Sequence, residues 1–249
     1  MLNVQNLAVS YRGIAAVKEV SFTIEPGQLV GLIGPNGAGK STMVKAMVGL
    51  IPAASGMVTL NQFPLKQQLQ QVAYVPQRSQ IDWDYPVTAW NVVKMAMTSR
   101  MGWWRGCSRQ SQELVKDALQ RVGMWELRQR QIGELSGGQQ QRVFLARAIA
   151  QQAELFLFDE PFTGIDKKTE AIIFDIFSEL KAEGKTLLVS SHEWGNALDH
   201  YDRLLLLNQQ LVANGSPQEV MTLENIKRAY GEGIQHSQIK PTVETLYFC

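Results

Sequence analysis

Cysteine is nearly absent from this chain, with only Cys107 and Cys249 among 249 residues. The two stand too far apart for a CxxC-type metal site, and in a cytosolic setting they stay reduced thiols, so no disulfide framework is expected. Histidine is scarce as well: His192, His200 and His236 show no metal-ligand spacing, and no transition-metal site is expected. No apolar run reaches the roughly 18 residues that span a bilayer, and the first residues lack the charged-then-apolar pattern of a secretory signal. An excess of charge is missing too. With 24 Lys and Arg against 23 Asp and Glu, a net charge of +1 and no basic run, nothing argues for nucleic acid. These absences predict a soluble, cytosolic chain. Its 45% hydrophobic content suffices for a substantial core, as one large domain or as a core with a lobe.

What is present is glycine in two special places. Gly34, Pro35, Asn36, Gly37, Ala38, Gly39, Lys40, Ser41 and Thr42 fit G-x-x-x-x-G-K-[ST], between an apolar run at 29–33 and a helix-like stretch at 43–50. Glycines let the backbone curl around a β-phosphate with its N–H groups inward, where Cβ atoms would obstruct. Lys40 then meets the β and γ oxygens, the Ser41 hydroxyl can ligate Mg²⁺, and the following helix N-terminus adds a favourable dipole. The second place is Leu135-Ser136-Gly137-Gly138-Gln139, ahead of a helix over 139–150 whose Val143, Ala146, Ile149 and Ala150 define a buried face. Two phosphate-binding elements in one chain imply a composite site.

Along the chain, 2–9, 17–24, 28–33 and 58–60 read as strands, with a turn at Glu25-Pro26-Gly27. From about 87 to 131 the pattern becomes helical, with Leu114, Val115, Ala118, Leu119 and Val122 in register and Gly123 as a stop. Short strands (155–158, 186–190, 204–207) then alternate with helices, of which 167–182 is the clearest, with Ile172, Ile173, Ile176, Phe177 and Leu180 on one face. Such alternation predicts a largely parallel sheet covered by helices. Ser216-Pro217-Gln218-Glu219 has the form of a capping box, and a loosely packed tail is expected after Gly231. The division expected is 1–86, 87–135, 136–230 and 231–249.

The run Leu155-Phe156-Leu157-Phe158-Asp159-Glu160 reads as a buried strand carrying carboxylates to its C-terminal end, where open α/β sheets bind ligands. Asp159 is placed to hold Mg²⁺. Glu160, one residue on, can orient or deprotonate an attacking water. Gln77 can reach the metal or the water, and His192, after the strand containing 187–189, can hydrogen-bond a γ-phosphate.

Taken together, these motifs resemble the ATP-binding cassette family, and within it the nucleotide-binding subunit of a membrane transporter. The resemblance covers about 2–221 and includes the Walker A loop, the glutamine-loop Gln77, the LSGGQ signature, Walker B with Glu160, a D-loop at Thr163-Gly164-Ile165-Asp166, and the switch His192. The D-loop departs from the commoner Ser-Ala-Leu-Asp but keeps its aspartate. The resemblance implies an α/β fold: a P-loop NTPase (RecA-like) core, an antiparallel β subdomain and an inserted α-helical lobe. It implies catalytic Lys40, Gln77, Glu160 and His192; Mg²⁺ at Ser41, Gln77 and Asp159; and ATP held by 34–42, with Tyr11 stacked on adenine. It further implies a head-to-tail homodimer in which Ser136, Gly137, Gly138 and Gln139 face the γ-phosphate held by the other subunit. The expected partners are integral membrane permease subunits at the cytoplasmic face of the inner membrane and, indirectly, a metal-binding receptor protein. Ile81, Trp83, Tyr85, Pro86, Val87 and Trp90, then Met95, Met97, Met101, Trp103 and Trp104, suit either lobe packing or a groove for a permease helix. Residues 77–88 and 101–104 look similar to cassettes of manganese, zinc and iron importers, with manganese the first expectation and zinc the second. An exporter cassette is the nearest rival. A soluble P-loop kinase or GTPase has no use for LSGGQ, a chromosome-type cassette expects a longer insertion, and a translation-factor protein normally carries two cassettes.

Overall fold

The computed structural model describes residues 1–98, 108–192 and 196–231. Met101, Trp103, Trp104, Cys107, His236, Cys249 and the expected tail lie outside them.

The chain opens with an antiparallel hairpin of β1 (Leu2–Tyr11) and β2 (Ile14–Ile24), closed by Arg12 and Gly13, both at positive φ as a two-residue hairpin turn requires. With β4 (Ser55–Leu60) and β5 (Phe63–Pro64) it forms a four-stranded sheet in the order β2-β1-β4-β5. The central sheet has six strands in the order β10-β9-β3-β8-β7-β6, built from β3 (Leu29–Ile33), β6 (Val72–Val75), β7 (Leu155–Asp159), β8 (Thr186–Ser191), β9 (Arg203–Asn208) and β10 (Gln210–Gly215). All its neighbours pair in parallel except β10, which returns antiparallel at the edge.

The two-residue period of the inner strands divides the core into two layers. Leu29 and Ile33, Phe156 and Phe158, and Leu204 and Leu206 face the helices, whereas Val30 and Leu32, Leu155 and Leu157, and Leu205 and Leu207 face the antiparallel sheet and α1 (Lys40–Met47). Strands buried on both faces read as continuous apolar runs, which is why β3 and β7 were legible. The helical layer holds α2 (Ala89–Lys94), α3 (Arg109–Arg121), α4 (Gly137–Ala150) and α5 (Lys167–Ala182). The predicted bounds of α5 match, and Ile173, Ile176, Phe177 and Leu180 are buried as expected; Ile172 is only partly buried, while Phe174 joins the core. Phe177 packs 4.6 Å from Phe158, tying α5 to β7 directly behind the carboxylates.

In the lobe, α3 is capped by Ser108 and ends before Gly123, whose positive φ reverses the chain. Trp83 stands edge-on to Phe144 of α4 at 5.2 Å, and Trp90 edge-on to Trp125 at 6.1 Å. The aromatic and methionine set divides: Ile81, Trp83, Val87 and Trp90 pack against the core and Met97 is buried, but Tyr85 and Met95 are exposed. A short α6 (Pro217–Val220), with the expected capping box, and α7 (Leu223–Tyr230) follow β10. Among the described residues, no helix is long and apolar enough to cross a membrane.

Candidate functional site

β3 delivers the first glycine-rich loop to the C-terminal edge of the central sheet, and α1 carries the chain away. Gly39 sits at φ +93°, and a Cβ there would stand 2.4 Å from the Ala16 carbonyl of β2, so the loop closes against that strand only with glycine. Ala38 donates its amide to the Pro35 carbonyl at 3.1 Å and accepts from Gln209 at 2.8 Å, while Asn36 and Gly37 stay exposed at the apex. Lys40 is only 4% exposed. Its Nζ donates to the carbonyls of Gly34 at 2.7 Å and Pro35 at 3.1 Å, and lies 4.0 Å from Glu160 Oε1. Burial pulls its pKa below the usual lysine value, against the opposing pull of the Glu160 and Asp159 charges. An ammonium held this way, inside a ring of backbone groups, is poised for an anion. Ser41 and Thr42 follow in the first turn of α1. Tyr11 ends β1 with half its surface exposed, on the hairpin whose second strand borders Gly39.

The parallel register of β7 and β8 sets Asp159 beside Ser190. Asp159, 1% exposed, accepts through Oδ1 from Ser41 Oγ and from Ser190 Oγ, both at 2.8 Å. Its Oδ2 is buried and has no hydrogen-bond partner among the described residues. Burial and then the Asp159 charge raise the pKa of the Tyr74 phenol on β6 well above the usual tyrosine value. Glu160 follows at φ +51°, a sparsely populated conformation for a non-glycine residue, and donates its amide to Ser190 Oγ at 2.9 Å. That bend sends its side chain towards Lys40. Its Oε2 accepts from Gln77 Nε2 at 2.8 Å and from Thr163 Oγ1 at 3.4 Å, with His192 Nδ1 at 3.6 Å. Gln77, expected to reach metal or water, is thus engaged by Glu160. A divalent cation fits this arrangement, because an orphaned buried carboxylate oxygen next to a serine hydroxyl is an incomplete hard-ligand set.

Ser136 stands apart from this cluster. It caps α4 in a reciprocal box, its Oγ accepting from Gln139 N at 3.3 Å while Gln139 Oε1 accepts from Ser136 N at 2.9 Å. Two of the amides expected to face an anion are therefore committed within the chain, leaving those of Gly137 and Gly138 to lead the helix end. A Cβ on Gly138 would lie 2.6 Å from Thr169 Oγ1, so α5 begins in close contact with this turn. Asp166 caps α5, accepting from Thr169 N at 2.9 Å and Thr169 Oγ1 at 3.1 Å, bonds that hold its carboxyl below the usual aspartate value. Among the described residues, no hydrogen bond or ion pair joins Ser136, Gly137, Gly138 or Gln139 to the Lys40 loop. The sequence assigned no site role to Ser190 or Tyr74, and named Thr163 only as the first residue of the D-loop. Thr163 carried the D-loop motif as its signal, and Ser190 its place at the end of a predicted strand, which the structure sets beside Asp159.

A family model described as ABC transporter matches residues 17–163. The manganese transport system ATP-binding protein MntB of Halalkalibacterium halodurans is 45% identical over 230 residues, covering 92% of each chain. The zinc transport system ATP-binding protein TroB of Treponema pallidum is 44% identical over 230 residues, 92% of this chain and 86% of that one. A solved ATP-binding cassette of an ABC transporter in its ADP conformation superposes with a TM-score of 0.78 at 25% identity, over 92% of this chain and 96% of that one. With more than half of the chain inside the family match and the phosphate loop and carboxylates assembled at one sheet edge, the chain belongs to the ABC transporter family: it is an ATP-binding cassette, an ATPase coupled to transport.

Proposed function

We propose that this chain drives import of a divalent metal ion, manganese, as a head-to-tail dimer docked on an integral membrane permease at the cytoplasmic face of the membrane. The observation that carries the dimer is the incompleteness of each site: Lys40, Ser41, Asp159 and Glu160 converge, while Ser136 and its glycines present a second anion-binding turn to none of them. A second copy, turned end for end, supplies each half with its complement. Manganese is favoured by the relative named for it, with zinc the alternative. Exposed Tyr85 and Met95 on the lobe support permease docking there.

In this reading Lys40 and the amides of the 34–39 loop hold the ATP phosphates, and Tyr11 stacks on the adenine. Ser41 and Asp159, with Gln77 once released from Glu160, would hold Mg²⁺. Bound magnesium supplies charge neutralisation at the phosphates. Glu160 takes the proton of the attacking water and His192 donates to the terminal phosphate oxygen. Ser136, Gly137 and Gly138 of the second copy orient that phosphate from the opposite side.

Two measurements test this. Ser136→Ala leaves ATP affinity of the dilute monomer within about twofold, because the residue does not touch its own loop, but lowers steady-state hydrolysis by about tenfold or more. An equal loss in monomer affinity would refute action across the interface. For the cargo, a strain lacking this chain accumulates less manganese, and the chain restores it on re-expression. Unchanged manganese with depressed zinc would transfer the assignment to zinc.

A further inference from the structure

The residue directly after Gln77 is Arg78, and its guanidinium occupies a seam between three elements. Its Nη2 donates to Gln140 Oε1 of α4 at 2.7 Å. Its Cζ lies 5.4 Å from the centroid of the Trp83 ring, and the indole Nε1 donates back to the Arg78 carbonyl at 3.0 Å. On α4 itself, a Cβ on Gly137 would stand 3.3 Å from the same Cζ, and one on Gly164, in the D-loop, would stand 3.8 Å from Nη1. Gln140 is fixed from behind, being 3% exposed and donating through Nε2 to the Ile132 carbonyl at 3.0 Å.

The partners that hold this cation, Gln140 and the Trp83 ring, are both neutral. Among the described residues no carboxylate pairs with Arg78, and its Nε is buried without an acceptor. It also approaches the N-terminal turn of α4, the positive end of a helix dipole, where positive charge is disfavoured. A methionine would fill the seam without a half-buried guanidinium. What the guanidinium adds is rigidity: a planar fork with donors in fixed directions, set over the Trp83 ring, transmits displacement as a flexible stem does not.

We propose that Arg78 is a positioning residue that couples the state of Gln77 to the presentation of the Gly137 and Gly138 amides. When Gln77 leaves Glu160, the shift of its backbone passes through the guanidinium to Gly137 and Gln140, turning the first turn of α4 towards a second copy. Each subunit thereby offers its signature face according to the occupancy of its own site. The proposal rests on the head-to-tail reading above.

The test uses the full chain in the Glu160→Gln background, with ATP-driven dimerisation followed by analytical ultracentrifugation and nucleotide affinity measured at dilutions where the chain is monomeric. Arg78→Met is expected to weaken dimerisation by about tenfold while monomer affinity changes by less than about twofold. Gln140→Leu should weaken dimerisation similarly, and the double variant should be no worse than either single one, since both break one link. Arg78→Lys restores only part, because an ammonium cannot reach its contacts as a fork. Parental dimerisation in Arg78→Met, or an equal loss of monomer affinity, overturns the proposal. Should Arg78→Met fail to fold, Gln140→Leu decides by the same two outcomes. If the Glu160→Gln parent itself stays monomeric with ATP, the dimer reading falls first and takes this proposal with it.

Discussion

Lys40→Ala lowers ATP affinity by about 10²- to 10³-fold, measured by equilibrium binding to the full chain, and leaves the thermal midpoint essentially unchanged. The two halves of this expectation come from one geometry. A buried ammonium contributes charge-assisted hydrogen bonds to phosphate at roughly 1.5–3 kcal/mol each, and two such bonds account for the affinity loss. Without phosphate the same ammonium is a burden on folding, because burial disfavours its charge and the Gly34 and Pro35 carbonyls offset only part of that cost. Alanine removes the burden with the bonds. Glu160 loses a cation 4.0 Å away but keeps its donors on Gln77 and Thr163, so its carboxylate is not stranded. Parental affinity in Lys40→Ala would show that the loop amides alone hold the phosphates. A fall in the thermal midpoint alongside affinity would show instead that the lysine props the loop.

The fold was legible where burial was two-sided or periodic. β7 announces itself as Leu155-Phe156-Leu157-Phe158 because both faces are covered, and α5 because its apolar stripe repeats over sixteen residues. β6 and β10 were missed for opposite reasons. β6 is four residues long, too short to establish a period between glutamine-rich turns, whereas β10 is an edge strand of mostly half-buried residues with no apolar alternation. α2 has six residues, less than two turns, and was visible only as part of a helical region. α7 escaped because only Ile226 and Ala229 of its eight residues are buried.

Motifs identify which residues meet but not which bonds they make. Gln77, Asp159, Glu160 and His192 were each named from spacing, yet the bond from Gln77 to Glu160 follows only from the register of three parallel strands and the positive φ of Glu160. Likewise, the resemblance gives the signature glycines as facing the γ-phosphate held by the other subunit. The structure gives them a second constraint, since Gly137 and Gly138 also make space for Arg78 and Thr169 of their own chain. That constraint is long-range in sequence, and no local pattern carries it.

Glu160→Gln should separate binding from turnover more sharply than any other single change, with hydrolysis falling by about 10²- to 10³-fold and an ATP-dependent dimer persisting in light scattering. The amide matches the carboxylate in shape, so the carbonyl oxygen can still accept from Gln77 at the 2.8 Å position, and the strained turn at residue 160 is undisturbed. What is lost is the negative charge, and with it the capacity to take a proton from water. The same loss removes a competitor: a carboxylate 4.0 Å from Lys40 competes with phosphate for that cation, and a neutral amide does so far less. The variant therefore binds ATP at least as well as the parent and stalls in the closed form, whereas ADP leaves it monomeric. A variant that stays monomeric with ATP and hydrolyses at the parental rate would remove Glu160 from the water-activating role. A dimer that forms and still turns over at that rate would keep the composite site and move the base elsewhere, for which His192, 3.6 Å from Glu160, is a side chain able to accept a proton.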